Sequence, residues 1–217
     1  MKKYLKTPRV LRRATLLAML PVFFLAGCGQ KTECEKSIDT AMGTVISQTV
    51  YVTGNSATTT NSKIHEKITD VLLQKLNDLE QKELSWRLES AEVARINAAA
   101  GEGQTSVSPA MAEWLGRCRQ ISEESAGAFD VSIGRLSRLW DIDTWAAAGD
   151  SGDYELPRQE EIAEALATTG WQKIQLEQQA DGDSVSIPAE MQLDLGAVGK
   201  GVALDEILKI CLLYTSP

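Results

Sequence analysis

The first 28 residues decide which part of this chain can fold as a globular protein. Lys2, Lys3, Lys6, Arg9, Arg12 and Arg13 precede an apolar run from Ala14 to Ala26, interrupted only by Thr15 and Pro21. A permanent transmembrane helix needs roughly 20 apolar residues, so this shorter run reads as a secretory signal. It ends in Leu25-Ala26-Gly27-Cys28, small residues before a thiol. That is the arrangement of a lipobox, in which Cys28 takes a diacylglyceryl group. The alternative is an ordinary signal followed by an unrelated cysteine. On the lipobox reading residues 1–27 are removed and residues 28–37 form a polar tether. The protein is then anchored by lipid to the cell membrane, on its periplasmic, extracytoplasmic side.

Processing also changes the charge. Residues 1–27 hold six of the 22 Lys and Arg and none of the 30 Asp and Glu, so the remainder carries 16 against 30, a formal −14. So acidic a surface argues against nucleic acid and against docking on anionic lipid through basic residues. The remaining cysteines are Cys34, Cys118 and Cys211. An oxidising compartment permits a Cys34–Cys118 disulfide, with free or buried thiols as the equal alternative. A single histidine, His65, and the absence of a Cys-x-x-Cys pair exclude a His-rich metal site and make no case for structural zinc.

The pattern downstream is mixed. Thr44 to Val52 alternates apolar and polar residues and predicts a strand. Residues 54–62 predict a loop, with Asn61 or Ser62 capping a helix whose stripe is Ile64, Ile68, Val71, Leu72, Lys75, Leu76 and Leu79. Ser108-Pro109 predicts a second helix start, with a core face of Met111, Trp114, Leu115, Cys118 and Ile121 and an end near Gly127. A third helix follows Pro157, carries Ile162, Ala165 and Leu166, and stops at Gly170. Short strands are expected at 171–176, 184–187 and 191–195, with a turn at Asp181-Gly182-Asp183. Gly196 to Gly201 reads as a glycine-rich turn leading into a helix from Val202 to Leu208. Strands and helices do not alternate regularly, which favours an α+β fold over a doubly wound sheet. The expected domain is 38–208, incomplete at its C-terminal side, with residues 209–217 read as a doubtful, non-native tail.

Three stretches carry chemistry. In Leu193-Asp194-Leu195-Gly196-Ala197-Val198-Gly199-Lys200-Gly201 a strand meets glycines and a helix start. Backbone N–H groups and the Lys200 charge there suit a pyrophosphate. The bland alternative is a steric turn with a solvated lysine, and Asp194 is open to acceptor, metal-proximal or helix-capping roles. In Gly127-Ala128-Phe129-Asp130 the aspartate is a turn former or a placed acceptor. Trp140 and Trp145 could stack on a flat ring, though tryptophans more often fill cores. The third stretch is Thr40-Ala41-Met42-Gly43-Thr44, where Gly43 permits close backbone approach.

Read in order, these segments resemble the FAD:protein FMN transferases of the ApbE family. The matching motifs are Ala41-Met42-Gly43-Thr44, Leu84-Ser85-Trp86 through Glu92-Val93-Ala94-Arg95-Ile96-Asn97, and Gly127-Ala128-Phe129-Asp130. Leu139-Trp140, Leu156-Pro157 and Asp194 to Gly201 follow. The resemblance implies FAD as substrate, Mg2+ as cofactor, and transfer of FMN to a Thr or Ser hydroxyl of an exported electron-transfer protein with release of AMP. It places flavin contacts on Met42, Arg87, Ala128, Phe129, Asp130, Asp194 and Lys200, and a metal-directed backbone carbonyl on Ala197. Arg87 stands where many members have an aromatic, exchanging a ring for a planar cation. A nucleophile or base is not assigned. FAD hydrolysis, or flavin binding without catalysis, uses the same residues.

Overall fold

The computed structural model describes residues 32–53, 58–142, 144–145, 155–180 and 182–215. The signal segment and Cys28 lie outside them, as does Asp181 of the expected turn. The chain divides into two compact units. One comprises the described parts of Met1–Ser37 and Gln48–Lys67, and the other comprises Ile38–Ser47 with Ile68–Pro217.

Strands β1 (Thr32–Ala41) and β2 (Thr44–Thr53) pair as a two-stranded sheet. β1 thus begins inside the segment expected to be a tether. Only Met42 and Gly43 separate the strands, and both have positive φ, 53° and 65°, the backbone that a two-residue hairpin turn demands. Helix α1 (Thr58–Leu79) starts earlier than the expected Asn61 or Ser62 cap. Leu72, Leu76 and Leu79 of its stripe are buried, whereas Ile64 is exposed. A π turn, Glu80–Leu84, follows.

The second unit holds the main core. Helix α2 (Glu92–Ala98) leads to β3 (Thr105–Val107) and then to α3 (Pro109–Glu124). Ser108 caps α3 as expected: its Oγ accepts the Met111 N–H at 3.1 Å, and Pro109 occupies the first turn, where an N–H would be unpaired anyway. Met111, Trp114, Leu115 and Cys118 form the buried face, but Ile121 is exposed and Ser122 is buried in its place. Ser122 can be buried because its hydroxyl donates to the Cys118 carbonyl at 2.9 Å. Helix α4 (Gly134–Trp140) and helix α5 (Gln159–Ala167) follow. In α5 Ala165 is buried and Leu166 is exposed.

The expected strand at 171–176 divides into a 3-10 turn, Trp171–Lys173, and β4 (Gln175–Gln179). With β5 (Gly182–Ser186) these make an antiparallel sheet of order β3-β5-β4, in register Thr105↔Val185 and Leu176↔Val185. Val185 is fully buried at its centre. Residues 191–195 do not form a ladder strand, because the chain beside them is a loop; a single parallel bridge, Ile133↔Gln192, is the regular pairing there. Helix α6 (Gly196–Thr215) begins at the residue expected to open a turn. The mixture of short antiparallel strands and packed helices is α+β.

No disulfide joins Cys34 and Cys118; both are free thiols. Burial pushes the Cys118 thiol up to about 11, which keeps it protonated and inert at neutral pH. Among the described residues, no helix is long and apolar enough to cross a membrane.

Candidate functional site

Two of the chemistry-bearing segments, some sixty residues apart in sequence, run side by side. The Asp194 N–H donates to the Val131 carbonyl at 2.8 Å, and the Gly134 N–H donates to the Gln192 carbonyl at 2.8 Å. Gly134 is sterically obligatory: a Cβ there would lie 2.7 Å from the Gln192 carbonyl oxygen. A third segment clamps the second. The buried Asn97 amide donates to the Leu193 carbonyl at 2.9 Å, and its Oδ1 accepts the Leu193 N–H at 2.6 Å. One side chain therefore satisfies both backbone groups of a residue that has no ladder partner. Sequence reasoning quoted Asn97 inside a motif but gave it no role. Its signal was an amide one residue after Ile96, on a short helix that also carries Glu92 and Arg95.

The start of α6 revises the expected phosphate cradle. Asp194 Oδ1 accepts the Gly196 N–H at 2.7 Å, so the capping role is the one the structure displays. A carboxylate occupies the helix N-terminus, where the macrodipole favours negative charge. Ala197 and Lys200 are exposed on the helix itself, not on a preceding turn. None of Gly196, Gly199 and Gly201 has positive φ. A Cβ on Gly201 would meet nothing, and one on Gly199 would make ordinary contacts, 3.7 Å from Met42 Cε and 3.9 Å from Leu84 Cδ1. Each helical glycine costs about 1 kcal/mol relative to alanine. At these two positions the chain's own packing does not require it.

Gly199 also shows what the structure gathers. Met42 lies against it, and Met42 is held by its N–H donating to Glu80 Oε2 at 2.8 Å. Met42 and Leu84 therefore pack on Gly199, and the exposed Lys200 is the next residue of the helix. Trp86 follows Leu84 by two residues, half-buried against the core. The Arg87 guanidinium carbon stands 4.1 Å from the Trp86 ring centroid, and that of Arg138 stands 5.0 Å from the same centroid. Arg138 had no place in the sequence reading.

Ala128 is exposed and Phe129 is half-buried; the Phe129 N–H donates to Ser125 Oγ at 3.1 Å. Asp130 ties its own turn to the Gly170–Trp171 segment. Its Oδ1 accepts the Ser132 N–H and hydroxyl at 2.8 and 2.6 Å, and its Oδ2 accepts the Trp171 N–H at 3.0 Å. Ser132 Oγ in turn accepts the Gly170 N–H at 2.7 Å. Of the two tryptophans considered for stacking, Trp140 is half-buried and Trp145 is exposed.

Further along α6 a groove of about 530 Å3 runs beside α3, lined by Trp114, Arg117, Ile121, Ala197, Gly201 and Leu208 among others. Glu206 receives Lys209 at 2.6 Å and Lys75 at 3.4 Å. The Lys209 hydrogen bond, supported by the charge of Lys75, holds its carboxyl below the usual range. Burial pushes the Glu83 carboxyl up, against the opposing charge of Lys75.

Hard divalent cations take about six oxygen ligands. Among the described residues no group of three or more His, Cys, Asp or Glu is placed to hold a metal. The Ala197 carbonyl alone does not amount to a Mg2+ site.

The sequence profile described as the ApbE family matches residues 42–213. The chain belongs to the ApbE family. ApbE-family relatives named FAD:protein FMN transferase include one from Treponema pallidum, 32% identical over 141 residues, covering 61% of the chain and 36% of the relative. Another, from Escherichia coli, is 26% identical over 206 residues and covers 91% and 55%. The ApbE protein of Thermotoga maritima superposes with a TM-score of 0.67 at 24% identity, covering 84% of this chain and 54% of that one. The flavin transferase ApbE of Vibrio cholerae gives 0.65 at 23% identity, covering 85% and 54%. These structural likenesses establish the ApbE fold. The chain spans about half the length, or less, of the curated relatives it matches.

Proposed function

We propose that the protein containing this chain is an FAD:protein FMN transferase. It binds FAD through the neighbourhood of Met42, Gly199 and Lys200, and passes the FMN moiety to a Thr or Ser hydroxyl of an exported acceptor, releasing AMP. The observation that carries this reading is the start of α6. Gly199 and Gly201 lower helix stability without being required by packing, and Gly201 is exposed, so a ligand that approaches the backbone there is a reason to keep it. Lys200 supplies positive charge beside them, as a pyrophosphate under attack by an alcohol needs. Met42, Arg87, Ala128, Phe129, Asp130 and Asp194 are the remaining flavin contacts proposed. Mg2+ enters as the metal of the whole protein, with the Ala197 carbonyl as the ligand offered here; bound, it would neutralise charge on the diphosphate.

Anchoring completes the proposal: Cys28 is lipidated and the domain works on the extracytoplasmic face of the membrane. Labelling with a fatty-acid analogue that is lost in Cys28→Ser supports this, and retained labelling refutes it.

The test of activity incubates the protein with FAD, Mg2+ and an exported acceptor carrying a flavinylation motif. Fluorescent acceptor in a denaturing gel together with AMP is the expected result. AMP without labelled acceptor would mean hydrolysis of FAD. Bound FAD with neither product would mean a flavin-binding lipoprotein. Lys200→Ala should weaken FAD binding more than Arg87→Ala does in a fluorescence titration, and equal affinities would defeat the Lys200 assignment.

A further inference from the structure

Trp86 lies between the proposed flavin contact Arg87 and a residue that the family resemblance does not include. Ser85 Oγ accepts the N–H groups of Arg87 and Leu88 at 3.1 and 3.2 Å, which fixes the backbone from which Arg87 projects. The Arg87 side chain is then laid on the indole, at 4.1 Å from the ring centroid. Arg138 reaches the same ring, at 5.0 Å, from α4. That helix is tied at its first residue, where the Gly134 N–H donates to the Gln192 carbonyl at 2.8 Å. Both arginines are exposed while the indole is half-buried.

We propose that Trp86 and Arg138 are positioning residues for Arg87. Arg138 holds the indole through its π face, the indole holds the Arg87 guanidinium flat, and Arg87 presents that plane to the flat heteroaromatic ring of a flavin nucleotide. The proposal rests on the flavin reading above and adds to it a residue, Arg138, and a mechanism. A free arginine side chain loses rotamer entropy when it is ordered. A guanidinium already stacked has met much of that cost before ligand arrives, which is how preorganisation raises affinity. This chain builds a planar surface from a cation backed by a ring. The second cation compensates for the mobility of an arginine.

The experiment titrates FAD by flavin fluorescence into the wild-type chain, Arg138→Ala, Arg138→Lys, Arg87→Ala and the Arg87→Ala/Arg138→Ala double variant. A cation–π contact at an exposed site is lost in Arg138→Ala, so affinity should fall roughly three- to fivefold. Arg138→Lys, which retains a cation over the ring, should recover most of it. The double variant should bind no more weakly than Arg87→Ala, because Arg138 acts through Arg87. Undiminished affinity in Arg138→Ala, or losses that add in the double variant, would overturn the inference. If Lys200→Ala still weakens binding in either case, the flavin reading survives without it. Failure of the wild-type chain to bind FAD would remove both.

Discussion

Helices α3 and α6 are the two long helices of the second unit, and they meet water in opposite ways. α3 has a buried face of Met111, Ala112, Trp114, Leu115 and Cys118 and a charged outer face. α6 has no single apolar face: it buries Gly199 and Ala203 while exposing Leu204, Leu208, Leu212 and Leu213 among Lys200, Asp205 and Lys209. Yet one short helix anchors both. Glu92 of α2 accepts the Ser108 N–H and hydroxyl at 2.7 Å each, at the start of α3. Asn97, five residues on, clamps the segment that leads into α6. The two helices differ in what covers their bodies, not in how firmly they begin. Firm anchoring of a helix therefore says nothing about how many of its faces the same chain will bury.

The sharpest way to break the comparison is at Asn97. Asn97→Ala strands both backbone groups of Leu193 in the core and should cost about 2–4 kcal/mol in urea unfolding. A loss below 1 kcal/mol would show that α6 is not held at its start. Ser108→Ala removes the cap of α3, and about 1 kcal/mol should disappear. No change would mean that Glu92 alone suffices. The pH dependence separates two carboxylates. Glu83 has its folded value raised, so it binds protons more tightly when folded, and its contribution is lost as pH rises from near 4.5 through the raised value. Glu83→Gln should therefore raise the melting temperature at pH 7, on the order of 1 °C, and not at pH 4. Glu206, held low by Lys209 and Lys75, has the opposite sign: its stabilisation is present above about 4.5 and fades as pH falls through the lowered value. Last, Leu208→Gln with Leu212→Gln should change stability by no more than about 0.5 kcal/mol while reducing binding of a hydrophobic dye. A large loss of stability would place those leucines in a core.

The contrast also explains what could be read beforehand. α3 was legible because Ser108-Pro109 states its start locally and its stripe follows the helical period. The start of α6 was misplaced because glycines argue locally for a turn, whereas Asp194, for which capping was one of three open roles, accepts the Gly196 N–H and starts the helix there. Helices α2 and α4, of seven residues each, are too short to show a period, and β3 is shorter still. Within the site, Met42 and Lys200 were legible as motif residues, but the packing of Met42 against Gly199 was not. Arg138 was invisible because its meaning comes from a ring 52 positions earlier in the chain.

The hairpin turn at Met42 carries one more consequence. A chain selected only to reverse direction in two residues would write Asn-Gly, since asparagine enters the left-handed region at little cost. This one writes Met-Gly, and holds a long side chain at a φ of 53° where it gains nothing as a turn. The thioether is thereby delivered to the glycine face of α6. Stability of the turn and usefulness of its tip pull in opposite directions here. A screen for tighter hairpins would discard the residue that a screen for ligand binding would retain.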